Sequence, residues 1–433
     1  MRDAELKQDR DAWTLFYATM FALGFVGYPI LSAGLGAFDA YARVFSIIYR
    51  AFVLFSSFFL IRISVLRIPP KEWKGFVVIA FFALWTMLLL RFAWDSSFVR
   101  IPLPLEWFEL FLQMVGVALI PTIALFHAPS ERAFDIARRM ILWGGVIAGL
   151  FLVVAVIRIV IESNSISALR RLGTQELNPI TLGHIGTTVV IVALLGRAMP
   201  RARSLIVRII DSLPVRLIGG LIGAFLSIAS ASKGPIVALI CVLLVWQAAR
   251  ILQAGSARAV LVAVVRLGFV FAAMLGLAVF LALFAQVMVL DRFAGFASDA
   301  SASERMLTWT RAMLEFEGSP WLGASFVEVQ SRFYPHNIFI ETLMAVGIPG
   351  FLTLCAMLIP VVRASVRVLF TRHEWVALVF VQQLLSTTFS GSVYFSSQFW
   401  GAAVAVFALD RLLAERAARS KTDPVPSQAV GAH

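Results

Sequence analysis

The stretch GVIAGLFLVVAVIRIVI, residues 145–161, decides the fold. It is apolar without alternation and is broken only by Arg158. A membrane β-strand alternates apolar and polar residues over about ten positions. A helix rising 1.5 Å per residue instead needs ~20 mostly apolar residues to cross the ~30 Å hydrocarbon core. The stretch therefore reads as a transmembrane helix. The same window moved outward along the chain gives about twelve spans, near 13–33, 44–64, 75–94, 105–126, 140–161, 179–199, 215–230, 235–252, 262–290, 347–368, 375–391 and 396–413. Composition agrees, since 60% of the 433 residues are hydrophobic and the mean hydropathy is +0.88, against roughly 45–50% apolar in a soluble domain. The expected fold is all-α, a single polytopic transmembrane domain over residues 1–433.

A net charge of +12 would suggest nucleic acid in a soluble chain, but here its distribution carries the information. With the N-terminus inside, the cytoplasmic segments collect clusters such as Arg62, Arg67, Lys71 and Lys74, or Arg201, Arg203, Arg208 and Arg216, as the positive-inside rule requires. No nucleic-acid partner is needed to explain the charge. The first span is too long for a signal-peptide core and lacks a small-residue cleavage site. Residues 414–433 read as a polar cytoplasmic tail without fixed structure. Cys241 and Cys355 lie inside apolar runs and read as small buried thiols, with no disulfide framework.

The cations on the outer face oppose the orienting rule; Arg50 and Arg91 fall within or at the edge of spans and Arg43 and Arg100 near outer ends, while three segments collect the others. The loop of about residues 291–335, between spans 9 and 10, is the longest polar interruption, and loops of that length are commonly functional. Within it SASERMLTWTRAMLEF, residues 301–316, reads as a short interfacial helix with Arg305 and Trp309 four residues apart, and GSPWLG ends it. Arg311 and Arg332 lie in the same loop, available to sugar acids or acceptor phosphates. Pro335 sets the chain for a helix that His336 and Asn337 open. A helix N-terminus disfavours the imidazolium, leaving His336 a neutral ring able to accept a proton. Asn337 orients that histidine or a sugar, or caps its own helix. Trp309 stacks on a sugar face or packs on the bundle.

The second segment is SIASASKGPIVAL, residues 227–239, a minimal turn where Lys233 and the free N–H groups of the next helix point together at the surface. Such an arrangement suits an anion, phosphate above all. The third, residues 163–186, carries adjacent Arg170 and Arg171. Three outer segments supplying cations point to a polyanionic ligand such as a lipid-linked diphosphate. His184, inside the sixth span, reads as a helix-packing residue, and His127 and His373 fall in cytoplasmic loops. The one Asp-x-Asp pattern, Asp9-Arg10-Asp11, is on the cytoplasmic tail, no outer segment offers a matched His/Asp/Glu metal cluster, and no Gly-rich nucleotide loop occurs. The chemistry is expected to need neither metal nor cofactor.

The order Arg305, Trp309, Ala312, Pro320, Gly323, His336-Asn337, Phe339, Glu341, Gly347 and Gly350 resembles the O-antigen ligase and polymerase superfamily, which includes the O-linked protein oligosaccharyltransferases. The resemblance implies a multi-pass protein of the bacterial inner membrane with cytoplasmic termini and a periplasmic active site. It implies a glycosyltransferase that uses an undecaprenyl-diphosphate-linked glycan as donor and a sugar hydroxyl of lipid A–core as acceptor, completing lipopolysaccharide. By the same resemblance His336 is the catalytic histidine and Arg305 a donor-diphosphate arginine. Lys233 stands where the family usually has arginine in a Ser-x-Arg-Gly-like turn, which keeps the charge but loses the bidentate fork. Polymerase and protein oligosaccharyltransferase activities on the same donor remain alternatives. A secondary transporter would show paired, interrupted helices in two related halves, and the chain has no such symmetry.

Overall fold

The computed structural model describes residues 2–38, 42–99, 103–163, 178–195, 205–284 and 300–422. The described residues are helical apart from turns and one isolated antiparallel bridge between Glu328 and Phe333. In chain order the helices are α1 (Arg2–Phe38), α2 (Ala42–Arg67), α3 (Phe76–Trp94), α4 (Trp107–Gln113), α5 (Ile120–Ala124), α6 (Glu131–Ser163), α7 (Pro179–Val190), α8 (Leu205–Ile210), α9 (Leu213–Ala229), α10 (Lys233–Leu252), α11 (Ala257–Phe284), α12 (Ala300–Gly318), α13 (Ile338–Leu369), α14 (Glu374–Phe389) and α15 (Ser397–Thr422). A π-helical turn, Met114–Leu119, joins α4 to α5 into one span, and another, Ile191–Leu195, extends α7.

Eight of these helices are long and apolar enough to cross a membrane: α1, α2, α3, the composite 107–124, α6, α10, α11 and α13. The other four expected spans coincide with α7, α9, α14 and α15, which are shorter or carry a charged end. The protein is thus an all-α polytopic membrane protein. Its membrane-crossing helices are apolar on both faces, as segments surrounded by lipid and by one another must be. On α2, Leu60 is buried while Phe55 and Leu66 are exposed. Cys241 and Cys355 are free and half-buried rather than buried.

The two ends of the bundle differ chemically. At the end expected to be cytoplasmic, cations pair with carboxylates brought from other helices: Arg132 with Asp11, Arg139 with Asp211, Arg250 with Glu374, Arg367 with Asp410, and Arg372 and Arg416 with Glu131. At the opposite end, backbone groups are held by buried polar side chains instead. Arg91, near the end of α3, donates to the carbonyl oxygens of Leu322, Gly323 (2.6 Å) and Ala345 (2.9 Å), and pairs with fully buried Asp95 at 3.3 Å. Asp95 in turn accepts from the Phe326 amide at 2.6 Å. This pair clamps residues 322–326 onto the bundle, which gives one outer cation a structural task.

The clamped segment fits into a break in α13. Gly347 has φ 66° and ψ −164°, a region that is essentially glycine-only, and the Ile348 amide next to it bonds to Pro320 O at 2.8 Å. A Cβ at Gly347 would stand 2.6 Å from the carbonyl oxygens of Pro320 and Trp321. Gly347→Ala is therefore expected to cost at least about 1–3 kcal/mol, read as a lower thermal unfolding midpoint in detergent. Limited proteolysis should then cut within 319–335, whereas Gly318→Ala, where a Cβ meets nothing within 4 Å, should leave both readouts unchanged.

Candidate active site

The site is built at the start of α13. Asn337 caps that helix, its Oδ1 accepting from the amides of Phe339 at 2.9 Å and Ile340 at 3.2 Å. Its side chain is thus occupied by the helix. His336 does not lie in the first turn, as the sequence suggested, but just outside it with φ 60° in the left-handed region, which few non-glycine residues adopt. Trp309 on α12 steadies this peptide, its indole Nε1 donating to Pro335 O at 2.6 Å. The ring of Tyr334 meets that of His336 edge-on at 4.6 Å.

The wall facing His336 is the turn after α14. His336 Nδ1 stands 3.4 Å from Ser390 O. Arg305 Nη1 donates to Phe389 O at 3.0 Å. Lys233 is half-buried and opens α10, and a Cβ on the adjacent Gly234 would lie 3.9 Å from Ser390 Oγ. Arg305, His336 and the Lys233 turn, widely separated in sequence, thus gather on residues 389–391. Fully buried Glu341 fixes that turn to α13, accepting from Ser392 Oγ at 2.7 Å and from the Val393 amide at 2.8 Å.

Electrostatics keep the histidine neutral. Burial, above all, holds the His336 pKa below the usual imidazole value of 6.5; the Ser390 carbonyl opposes this, and the Arg305 charge adds to it. Burial also pushes the Tyr334 phenol up to about 12, so it remains protonated. Beside His336 a cavity of about 510 Å³ opens between α1, α2, α7 and α14, with Tyr334, His336, His184, Gln383 and Arg50 in its wall.

Residues 218–355 match the family model described as O-antigen ligase. The family indicated by the residue order is the one this match supports. It covers less than half of the chain, from within α9 to within α13, and takes in Lys233, Arg305, Trp309 and His336. No curated protein matches the chain.

The remaining sequence candidates separate. Arg311 is half-buried on α12, and Arg332 is exposed, at φ 56°, in the tight turn closed by Glu328. Neither lines the cavity. Arg170 and Arg171 lie outside the described residues. Sequence reasoning missed Ser390, Tyr334 and the polar wall opposite. The serine-rich FSGSVYFSSQ, residues 389–398 between the last two spans, was the available signal.

The role of Glu341 is checkable. Glu341→Leu leaves Ser392 Oγ and the Val393 amide unpaired, at about 1–3 kcal/mol each, and should lower the unfolding midpoint in detergent clearly below that of Glu341→Gln, which keeps one acceptor.

Proposed function

We propose that the protein transfers an O-antigen glycan from undecaprenyl diphosphate to a sugar hydroxyl of lipid A–core at the periplasmic face, with His336 as general base. The observation that carries this reading is the gathering of His336, Arg305 and the Lys233 turn on residues 389–391. A carbonyl oxygen only accepts hydrogen bonds, so Ser390 O favours the tautomer with the proton on Nδ1 of His336. Nε2 then keeps its lone pair for the acceptor hydroxyl. As that proton moves to Nε2, the hydroxyl oxygen attacks the anomeric carbon, and the bond from that carbon to the diphosphate oxygen breaks. Displacement from the opposite face inverts the centre.

The leaving undecaprenyl diphosphate departs with the bonding electrons, and cations placed for it stabilise that charge. Arg305 and Lys233 are assigned this task. Arg305 is the stronger candidate because its planar guanidinium presents several donors, and among the described residues only Nη1 is engaged, with Phe389 O. Trp309 acts by positioning Pro335 and hence His336, and Asn337 by ending the backbone turn that presents the ring. Both act on the site from outside the reacting atoms.

The deciding assay incubates the purified protein with undecaprenyl-diphosphate-linked glycan, with and without lipid A–core, and resolves the glycolipid products on a gel. Glycan joined to core only when core is present is the expected result. Lengthened lipid-linked glycan in the absence of core would make the protein a polymerase. His336→Ala should lower transfer by about 10²–10⁴-fold, and full activity in that variant would remove the histidine from the mechanism.

The pH profile tests the same assignment. The base works as the neutral ring, and its folded pKa lies below 6.5. Rate is therefore retained as pH falls through 6.5 and is lost only at lower pH. Arg305→Met removes a cation that disfavours the imidazolium, so its acid limb should move upward, toward the ordinary imidazole value, together with a higher KM for donor.

A further inference from the structure

Two buried polar side chains on the cavity wall are not used by the proposed reaction. His184 on α7 is 4% exposed and Gln383 on α14 is 3% exposed, and both line the cavity that holds His336. Neither ring nitrogen of His184, nor Nε2 of Gln383, has a hydrogen-bond partner among the described residues. Buried polar atoms in native proteins are almost always satisfied, so three orphaned nitrogens on two residues that line one cavity point to hydrogen-bonding capacity that a ligand there would use.

The rest of the wall says which ligand. Asn178, Thr181, Ser386 and Thr387 add amide and hydroxyl groups, and Tyr334 and Phe395 add aromatic faces. Arg50 is the one Lys or Arg among the described lining residues, and no carboxylate is among them. A diphosphate would call for more cations, and a cation for carboxylates. Amides, hydroxyls and an aromatic face match a sugar ring, which is apolar above and below and hydroxylated around its edge. The volume of about 510 Å³ lies within the roughly 300–1,000 Å³ of small-ligand pockets.

The two walls are also locked together. Gln382, next to Gln383, donates to His184 O at 2.8 Å and accepts from Thr188 Oγ1 at 2.8 Å. That fixes α14 against α7, so the backbone carrying the orphaned groups is already in place and only their side chains need turn toward a ligand.

We infer that this cavity is a subsite for an uncharged sugar ring, with His184 and Gln383 hydrogen-bonded to its hydroxyls, distinct from the diphosphate position at Arg305 and Lys233. The inference rests on the glycosyl-transfer reading above. The ring belongs either to the donor glycan beside the diphosphate or to the acceptor, and kinetics separate the two.

The test uses full-length His184→Leu and Gln383→Leu, each purified and compared with wild type for thermal unfolding and for steady-state transfer with donor and acceptor varied in turn. Because each substitution removes an unpaired buried group, the unfolding midpoint should stay level or rise. KM for one substrate should increase about five- to tenfold, while kcat changes much less. A rise in donor KM places the donor sugar in the cavity, and a rise in acceptor KM the acceptor sugar. Unchanged KM for both substrates would overturn the inference, as would a lower midpoint or failure to fold in both variants, since either would make the two side chains structural. If wild type transfers glycan and His336→Ala does not, those outcomes remove only the sugar subsite. If wild type transfers none, the glycosyl-transfer reading fails and the subsite with it.

Discussion

The carboxylate of Glu341 joins the two pieces of chain between which the proposed chemistry takes place. Its oxygens hold Ser392 and Val393 against the first turn of α13, and His336 stands one residue ahead of that helix's cap while Ser390 precedes the held loop. The distance between imidazole and carbonyl is therefore set by a side chain that touches neither. Behind this lies a general constraint. Where the backbone leaves helical geometry near the membrane, its freed amides and carbonyls must find partners inside the protein. Arg91, Asp95, Asn337 and Glu341 each meet that requirement, and together they fix the shape of the site.

The cations at the site's end of the bundle divide into classes that charge alone cannot separate. Arg91 is part of the scaffold because its donors are taken by the carbonyls of Leu322, Gly323, Ala324 and Ala345 and by Asp95. Arg305 holds the last carbonyl of α14 with one nitrogen. Arg332 is exposed at a turn whose geometry is imposed by Glu328, which takes the Gln330 and Ser331 amides on its carboxylate. The same formal charge thus serves as clamp, ligand candidate or turn decoration according to how many backbone oxygens lie within reach.

Helix order and most helix positions were legible in the sequence, because an apolar run of membrane-crossing length is nearly unambiguous. Capping by Asn337 was one of the uses open in the sequence, beside orienting His336 or a sugar, and the structure shows the side-chain oxygen on the first amides of α13. A helix opening at His336-Asn337 and a span beginning near 347 were read as separate features, since a helix that bends at glycine and continues past two prolines looks like two segments. His184 shows the deeper limit. Hydropathy places it inside a helix and suggests packing, but only the fold brings it opposite Gln383, from a helix near the other end of the chain. The family match and the residue order agree on the segment that carries His336, and neither covers that opposite wall.

The break at Gly347 has a further consequence. It divides α13 into a short piece, Ile338–Val346, roughly 13 Å long at 1.5 Å per residue, and the long apolar remainder. Membrane helices adapt to thicker or thinner bilayers by changing tilt. Here a change of tilt in the remainder meets a glycine joint before it reaches the short piece, which is tied instead to Ser392, Val393 and the clamped loop. The placement of His336 is thereby set by the short piece and the loops bound to it rather than by the long apolar remainder alone.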